Sequence, residues 1–566
     1  MPQKGQFEMY TLIKKKDEIR SAVEAAIIKA FGECEIPSFA VEEPRDKTHG
    51  DFAVNAAMIL AKALKKNPRE IATAIVENID KDAIGALNIE LAGPGFINFT
   101  LDNAYIKNVL AEIEEMGDSY GDVNVGEGKK VMIEFVSANP TGPMHMGNAR
   151  GGALGDTLAN VLKKAGWLVT KEFYINDAGA QIEKFGNSLE GRYIQILKGE
   201  DAVEFSEDWY QGDDIREHAQ NYIDLYGDSL LNLSSEERRQ KLIGYALELN
   251  INALKETLSR YRIDYDVWFR ESVLHEAGDV METVNKLVES GKAYEQDGAI
   301  WLRSTDFGSE KDDVLVRQNG IPTYFAADIA YHRNKIETRN FDLCINIWGA
   351  DHHGHIARMK GALEAVGQNS DKLMVLIIQL VRLMSEGKPV RMSKRTGKMI
   401  TLSDLIDEIG IDAARFFFNM RAAGSHMDFD LDLAVKQSND NPVFYVQYAH
   451  ARICSIIRLL AEEGSVVPSV KDIDLSVLNA KEELELMKKL ASLPDEITNA
   501  ATGFEPSNLT RYVIDLSSCF HSFYSACRVK DDDVKVREAR LKLVDSTRAV
   551  IRIVLDILGV SAPEQM

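Results

Sequence analysis

The sequence predicts an α/β protein in three successive parts: a small α+β domain, a larger domain around a parallel sheet, and an all-helical tail. Apolar runs of strand length at 131–136, 343–348 and 373–378 are separated by helical stretches, as in βαβ units. The first run empties into a turn crowded with glycine and proline, 136–152, behind which 151–165 reads as a helix. From 441 to the last residue no strand pattern returns.

At 566 residues the chain exceeds one core, and about 150 residues per domain suggests roughly three or four domains. Hydrophobic residues at 45% and charged residues at 27% are ordinary for a globular protein, and no apolar run approaches about 18 residues, so no membrane span is expected. The first residues lack an apolar signal region, and the five cysteines (34, 344, 454, 519, 527) form no CxxC pair, which points to a reducing cytoplasm. A net charge of −22 argues against a protein that coats nucleic acid indiscriminately and leaves room for local basic surfaces.

Along residues 14–98, helical patterns such as 52–64 alternate with short strand-like runs, ending in 89–99. An amphipathic helix at 103–116 and a Gly/Asp-rich linker at 117–128 deliver the chain to the first strand of the main sheet. Residues 201–291 are mostly helical, highly charged and free of chemical motifs, so they are expected to be an insertion. Strand signals at 299–302, 314–316, 343–348 and 373–378 then resume the sheet. Beyond a basic loop at 387–398, helical patterns dominate from 402. The expected divisions are 1–117, 118–386, 387–440 and 441–566, with no internal repeat.

Two segments carry chemistry. Glu134 lies in an apolar strand, where a lone carboxylate is costly, so it should meet a cation, for which a ligand would serve, or sit at the solvent end. In doubly wound sheets ligands bind beyond the carboxyl ends of strands, and the following helix offers free N–H groups to anions. His145 and Asn148, just before that helix, can donate to phosphate oxygens. A Gly/Pro loop capped by His145 would look the same by composition. The second segment, 387–398, packs Lys388, Arg391, Lys394, Arg395 and Lys398 between two glycines. It could close over a departing pyrophosphate, with Lys394 as the stabilising cation, or it could be a solvated charge run.

The pairing of an H-x-G-[HN] turn after the first strand with an M-S-K loop far downstream resembles the two signatures of class I aminoacyl-tRNA synthetases. That resemblance implies a Rossmann-like parallel-sheet catalytic domain in which both motifs hold ATP while an amino-acid carboxylate attacks its α-phosphate. The implied ATP contacts are His145, Gly147, Asn148, Met392, Ser393 and Lys394, with His145, Asn148 and Lys394 as the catalytic set. Met146 replaces the usual isoleucine, Asn148 the final histidine, and Arg391 and Arg395 the first lysine and last serine of the loop. Asn148 keeps a donor but carries no charge.

The longer stretch Ser137, Ala138, Asn139, Pro140, Thr141, Gly142, Pro143, Met144, His145, Met146, Gly147, Asn148 resembles the arginyl-tRNA synthetase form of the signature. Residues 49–55 and 92–98 resemble that family's N-terminal domain, and 428–433 with 441–452 the start of its helical anticodon-binding domain. Tyr324 and Asp328, at i and i+4, would share a helix face, and a guanidinium favours a carboxylate with further acceptors beside it. An ordinary half-exposed pair fits that spacing equally. The resemblance places Tyr324 and Asp328 at the guanidinium, Glu134, Ser137, Ala138 and Asn139 around the amino-acid backbone, and His352 with Asp351 along the pocket. His353-x-His355 raises a metal site, but no further Cys/His set accompanies it. No protein metal is expected, and Mg²⁺ should arrive with ATP.

The implied partners are tRNA(Arg), ATP and L-arginine, with the N-terminal domain at the tRNA elbow and the chain acting as a monomer. Between Arg528 and Arg552 eight Lys/Arg face five Asp/Glu, with Tyr445, Tyr448, Phe520, Phe523 and Tyr524 near in sequence. This suits unstacked bases on aromatics, or simply helix core and a solvated face. The expected reaction is arginine–tRNA ligation; a same-fold nucleotidyltransferase without RNA, or an inactive tRNA-binding paralogue, remains open.

Overall fold

The structure is a computed structural model that describes residues 10–44, 46–390 and 400–566. Its first domain combines the helix Thr11–Phe31 with an antiparallel sheet of order β1-β2-β4-β3, built from β1 (Val41–Glu42), β2 (Phe52–Val54), β3 (Ala86–Ala92) and β4 (Phe96–Leu101). The expected helix at 52–64 starts as β2, because Phe52 and Val54 point inward with period two, and turns helical only at Ala56. The expected linker at 117–128 is docked rather than free: Tyr120 is fully buried and its hydroxyl donates to the Leu490 carbonyl at 2.9 Å.

The main sheet contains β5 (Lys130–Glu134), β6 (Leu168–Ile175) and β7 (Val267–Arg270). The chain then forms β8 (Ala293–Gln296), β9 (Ala299–Leu302) and β10 (Asp313–Val316) before returning with β11 (Leu343–Gly349) and β12 (Leu373–Ile378). The main sheet is wholly parallel, ordered β12-β11-β5-β6-β7. Succession runs outward from β5 in one direction and resumes at β11 on its other side, so the topological switch point lies between the ends of β5 and β11.

Two expectations change. The span 201–291 supplies the edge strand β7, so it is not insertion throughout. The runs at 299–302 and 314–316 form, with β8, a separate antiparallel sheet of order β10-β9-β8. Only Asp297 and Gly298 link β8 to β9, at φ 53° and 74°; such a two-residue hairpin turn cannot make the long crossover a parallel pair needs. A third small sheet joins β13 (Val381–Ser385) to β14 (Lys388–Val390) as a hairpin and to β15 (Met427–Asp430) in parallel.

Behind β5 the helix Gly147–Lys164 packs almost backbone to ring. A Cβ on Gly155 would stand 2.3 Å from Cγ of buried Phe135. Gly155→Ala is therefore expected to destabilise the fold by about 1–3 kcal/mol through overpacking, seen as a lower midpoint in urea unfolding at unchanged m; an unchanged midpoint would show that the ring can move.

The tail consists of helices, chiefly Pro442–Glu462, Lys481–Ala491, Leu493–Thr502, Ser507–Ala526 and Val534–Leu558. It is fastened to the main domain by Arg415, which is fully buried and donates to Asp156 Oδ2 (2.6 Å), the Leu558 carbonyl (2.9 Å) and the Tyr261 carbonyl (3.1 Å). The basic run at 528–552 is largely engaged in ion pairs, including Arg540–Glu483, Lys542–Glu114, Lys530–Glu463 and Arg548–Asp545. Phe520 and Phe523 are core residues with no exposure, whereas Tyr445, Tyr448 and Tyr524 are half-buried.

Candidate active site

At the end of β5 the backbone turns through an unfavourable conformation. Val136 has φ 67° and Ser137 φ 40°, and the Ser137 N–H donates to the Phe135 carbonyl at 2.9 Å. A β-branched residue at the centre of such a γ-turn is strained, and strain of this kind collects at functional sites. The turn is held from behind: the Pro140 carbonyl accepts from Asn250 Nδ2 at 2.9 Å, and Met144 is buried. Asn139, Pro143, His145 and Gly147 are exposed, while Ala138, Thr141, Gly142, Met146 and Asn148 are half-buried.

The segment that follows the basic loop meets this turn. β14 leads into the loop, and after it the Met146 N–H donates to the Ile400 carbonyl (3.1 Å), the Leu402 N–H to the Met144 carbonyl (2.9 Å), and His145 bridges Thr401. The segment Ile400, Thr401 and Leu402, just downstream of the loop, is thus hydrogen-bonded onto the turn that carries His145. Arg391, Met392, Ser393, Lys394, Arg395 and Lys398 lie outside the described residues.

Glu134 does find a cation, and it belongs to the protein. Lys335 Nζ lies 2.6 Å from Glu134 Oε2 and 3.1 Å from Asn346 Oδ1. Ser137 Oγ donates to Glu134 Oε1 at 3.2 Å and accepts from the Tyr174 N–H at 3.1 Å. Asn346 Nδ2 faces His332 Nε2 at 2.9 Å, and His332 Nδ1 lies 2.8 Å from the Asp328 carbonyl. This fixes a neutral imidazole that carries its proton on Nδ1; burial, with Lys335 adding to it, holds its pKa well below the usual histidine range.

Tyr324 and Asp328 share the helix Tyr324–Arg333, whose first turn is capped by Thr323. The Tyr324 hydroxyl accepts from the Ala180 N–H at 2.8 Å, and Asp328 Oδ2 lies 3.3 Å from His355 Nε2. Gly179 is doubly required there: its φ is 81°, and a Cβ would meet the Tyr324 ring at 2.8 Å. Glu271 is buried nearby. Burial raises its pKa, and the charge of Asp328 raises it further; Tyr174 is likewise pushed up by burial and by the Glu271 and Asp328 charges. The region is acidic, with phenolic groups beside its carboxylates, a set suited to a guanidinium. The His352 side chain is 60% exposed, with Nε2 3.5 Å from Asp351. Among the described residues no three His, Cys, Asp or Glu side chains gather as a metal-ligand set.

Lys335, Asn346, Tyr174 and Glu271 were not anticipated. Asn346 could have been found by the reasoning that selected Glu134, since it is a polar residue inside an apolar strand. Lys335 carries no comparable signal; the π-helical turn Asn334–Thr338 brings it inward.

Three family profiles cover most of the chain: the arginyl tRNA synthetase N terminal domain over residues 17–101, the tRNA synthetases class I (R) catalytic domain over 107–427, and the DALR anticodon binding domain over 446–566. The chain belongs to the arginyl-tRNA synthetase family. The arginine–tRNA ligase of Ruminiclostridium cellulolyticum is 57% identical over 556 residues, covering 97% of this chain and 99% of that protein. The one from Caldanaerobacter subterraneus subsp. tengcongensis is 54% identical, covering 98% and 99%. The solved Thermus thermophilus arginyl-tRNA synthetase superposes with a TM-score of 0.74 at 22% identity, over 97% of this chain and 100% of that one, and shares the fold. The family's catalytic profile ends at 427, so it takes in both the turn that carries His145 and the sequence of the basic loop.

Proposed function

We propose that the chain is an arginine–tRNA ligase, activating L-arginine with ATP to arginyl-adenylate and transferring the arginyl group to the 3′-terminal ribose of tRNA(Arg), with release of AMP and pyrophosphate. The observation that carries this reading is the docking of residues 400–402, which directly follow the basic loop, onto the His145 turn at the switch point, together with the acidic helix of Asp328. In it, His145 and Asn148 donate to ATP phosphates, Gly147 lets the backbone approach, and the loop with Met392, Ser393 and Lys394 stabilises charge developing on the departing pyrophosphate. Asp328 and Tyr324 take the guanidinium, Glu134, Ser137, Ala138 and Asn139 position the α-amino and carboxylate groups, and His352 closes the side. Mg²⁺ comes with ATP, and the chain acts as a cytoplasmic monomer.

For tRNA, the reading rests on a different face of the tail. Arg452 lies 4.4 Å from the Tyr524 ring centroid, and its Nη1 donates to the Tyr448 hydroxyl at 2.9 Å. They line a groove of about 560 Å³ with Arg458 and Met566, a platform of rings and cations on which an unstacked base can lie. Deleting 441–566 would not test this role cleanly, because it also uncovers Arg415 and Asp156. The direct test is ATP–pyrophosphate exchange with arginine, lysine, citrulline and glutamine, each with and without total tRNA. Exchange with arginine alone is expected. Preference for lysine or glutamine would overturn the pocket assignment, and no exchange with any of them would overturn the reaction.

A further inference from the structure

We propose that Lys335 is a positioning residue for the α-ammonium group of the bound amino acid, acting through Glu134. This rests on the reading that Glu134 meets that ammonium. Glu172, Glu134 and Asn346 stand in direct register on β6, β5 and β11, a polar row across the end of an apolar sheet. Two carboxylates on adjacent strands repel, and each is given its own cation from one stretch of chain. Arg339 pairs with Glu172, which also accepts from the Tyr331 hydroxyl at 2.6 Å, and Lys335 pairs with Glu134.

The two pairs are not equally closed. Glu172 is fully buried, while the Glu134 side chain keeps 10% exposure above a Lys335 that has none. Lys335 donates to Glu134 and Asn346, with its ammonium 3.9 Å from the Tyr331 ring centroid. A carboxylate offers about four acceptor positions. On Glu134 one is taken by Lys335 and one by the Ser137 hydroxyl, so its plane is fixed and acceptor capacity remains. Without Lys335 the carboxylate would be a buried charge with no counter-ion, which is far costlier than the intact pair and favours its loss as a charged acceptor. Lys335 also continues the helix that holds Asp328, across the π-helical turn. One rigid element therefore sets both the guanidinium end and, through Glu134, the ammonium end, which fixes the length of amino acid that can span them.

The test compares arginine with 5-guanidinopentanoic acid, which keeps the guanidinium and carboxylate and lacks the α-amine. Binding of each to the full-length protein is measured by titration calorimetry, with KM and kcat for arginine from pyrophosphate exchange. Lys335→Met is expected to weaken arginine about 10- to 100-fold, the size of a hydrogen bond to a charged group, mainly in KM, with the amine-free analogue changed less than about threefold. Glu134→Gln should show the same selectivity, and the double variant should be no worse than Glu134→Gln alone, as coupled residues require. Equal weakening of both ligands by Lys335→Met, or added loss in the double variant, would overturn the role of Lys335. If Glu134→Gln itself failed to distinguish the ligands, the underlying assignment of Glu134 would be wrong instead. Should Lys335→Met not fold, the double variant, which buries no unpaired charge, decides the question against Glu134→Gln.

Discussion

Lys394→Ala is expected to slow arginine-dependent pyrophosphate exchange by about 10²–10³-fold, the usual cost of removing one group that stabilises transition-state charge. The affinity for tRNA should change little, because the segment that follows the loop, residues 400–402, is tied to the His145 turn. In an otherwise acidic chain of net charge −22, this loop concentrates five cations, the charge a departing pyrophosphate would need. The effect should fall on kcat more than on the KM for ATP, since charge on the bridging oxygen grows only as the bond breaks. Steady-state exchange and a filter-binding measurement with tRNA check both halves. An unchanged rate would remove Lys394 from the reaction, and a parallel collapse of tRNA binding would mean that the loop acts through RNA contact.

Asp328→Asn is expected to lower kcat/KM for arginine by about 10²–10³-fold, with the loss mainly in substrate binding. A guanidinium placed against an amide keeps part of its hydrogen bonding and loses its counter-charge, a loss of about 2–5 kcal/mol at a desolvated site. The partner His355 remains, 3.3 Å from the position of the carboxylate oxygen. Citrulline, whose ureido group is neutral, should lose much less, so the ratio of arginine to citrulline binding narrows. That ratio, by calorimetry, is the decisive quantity: a uniform loss for both ligands would show that Asp328 shapes the helix rather than meeting the guanidinium.

Several of these elements were legible in the sequence because their signals are local. An apolar strand, a Gly/Pro turn bearing His145, a cation-rich loop and an i, i+4 pair of Tyr324 and Asp328 each need only a few neighbouring residues to be recognised. Local reading failed where period or burial was decided elsewhere. Phe52 and Val54 became strand because the sheet of the first domain needed their alternate faces. Tyr120, in what reads as a linker, was captured by the Leu490 carbonyl. The basic residues of 528–552 read as an RNA face, yet many are neutralised by acids from other segments, as Lys542 is by Glu114.

The sequence by itself determined the α/β class, the order of the parts and the two motifs around His145 and Lys394, since these depend on chain-local chemistry and spacing. Only the tertiary structure decided which charges are free to act. Glu134 and Lys335 are 201 positions apart, and nothing in either neighbourhood indicates that they share one buried pair. Pairing of this kind is a property of burial: a charge leaves water only where folding delivers its partner, so the counter-ion of Glu134 is specified by the sheet and the π-helical turn together.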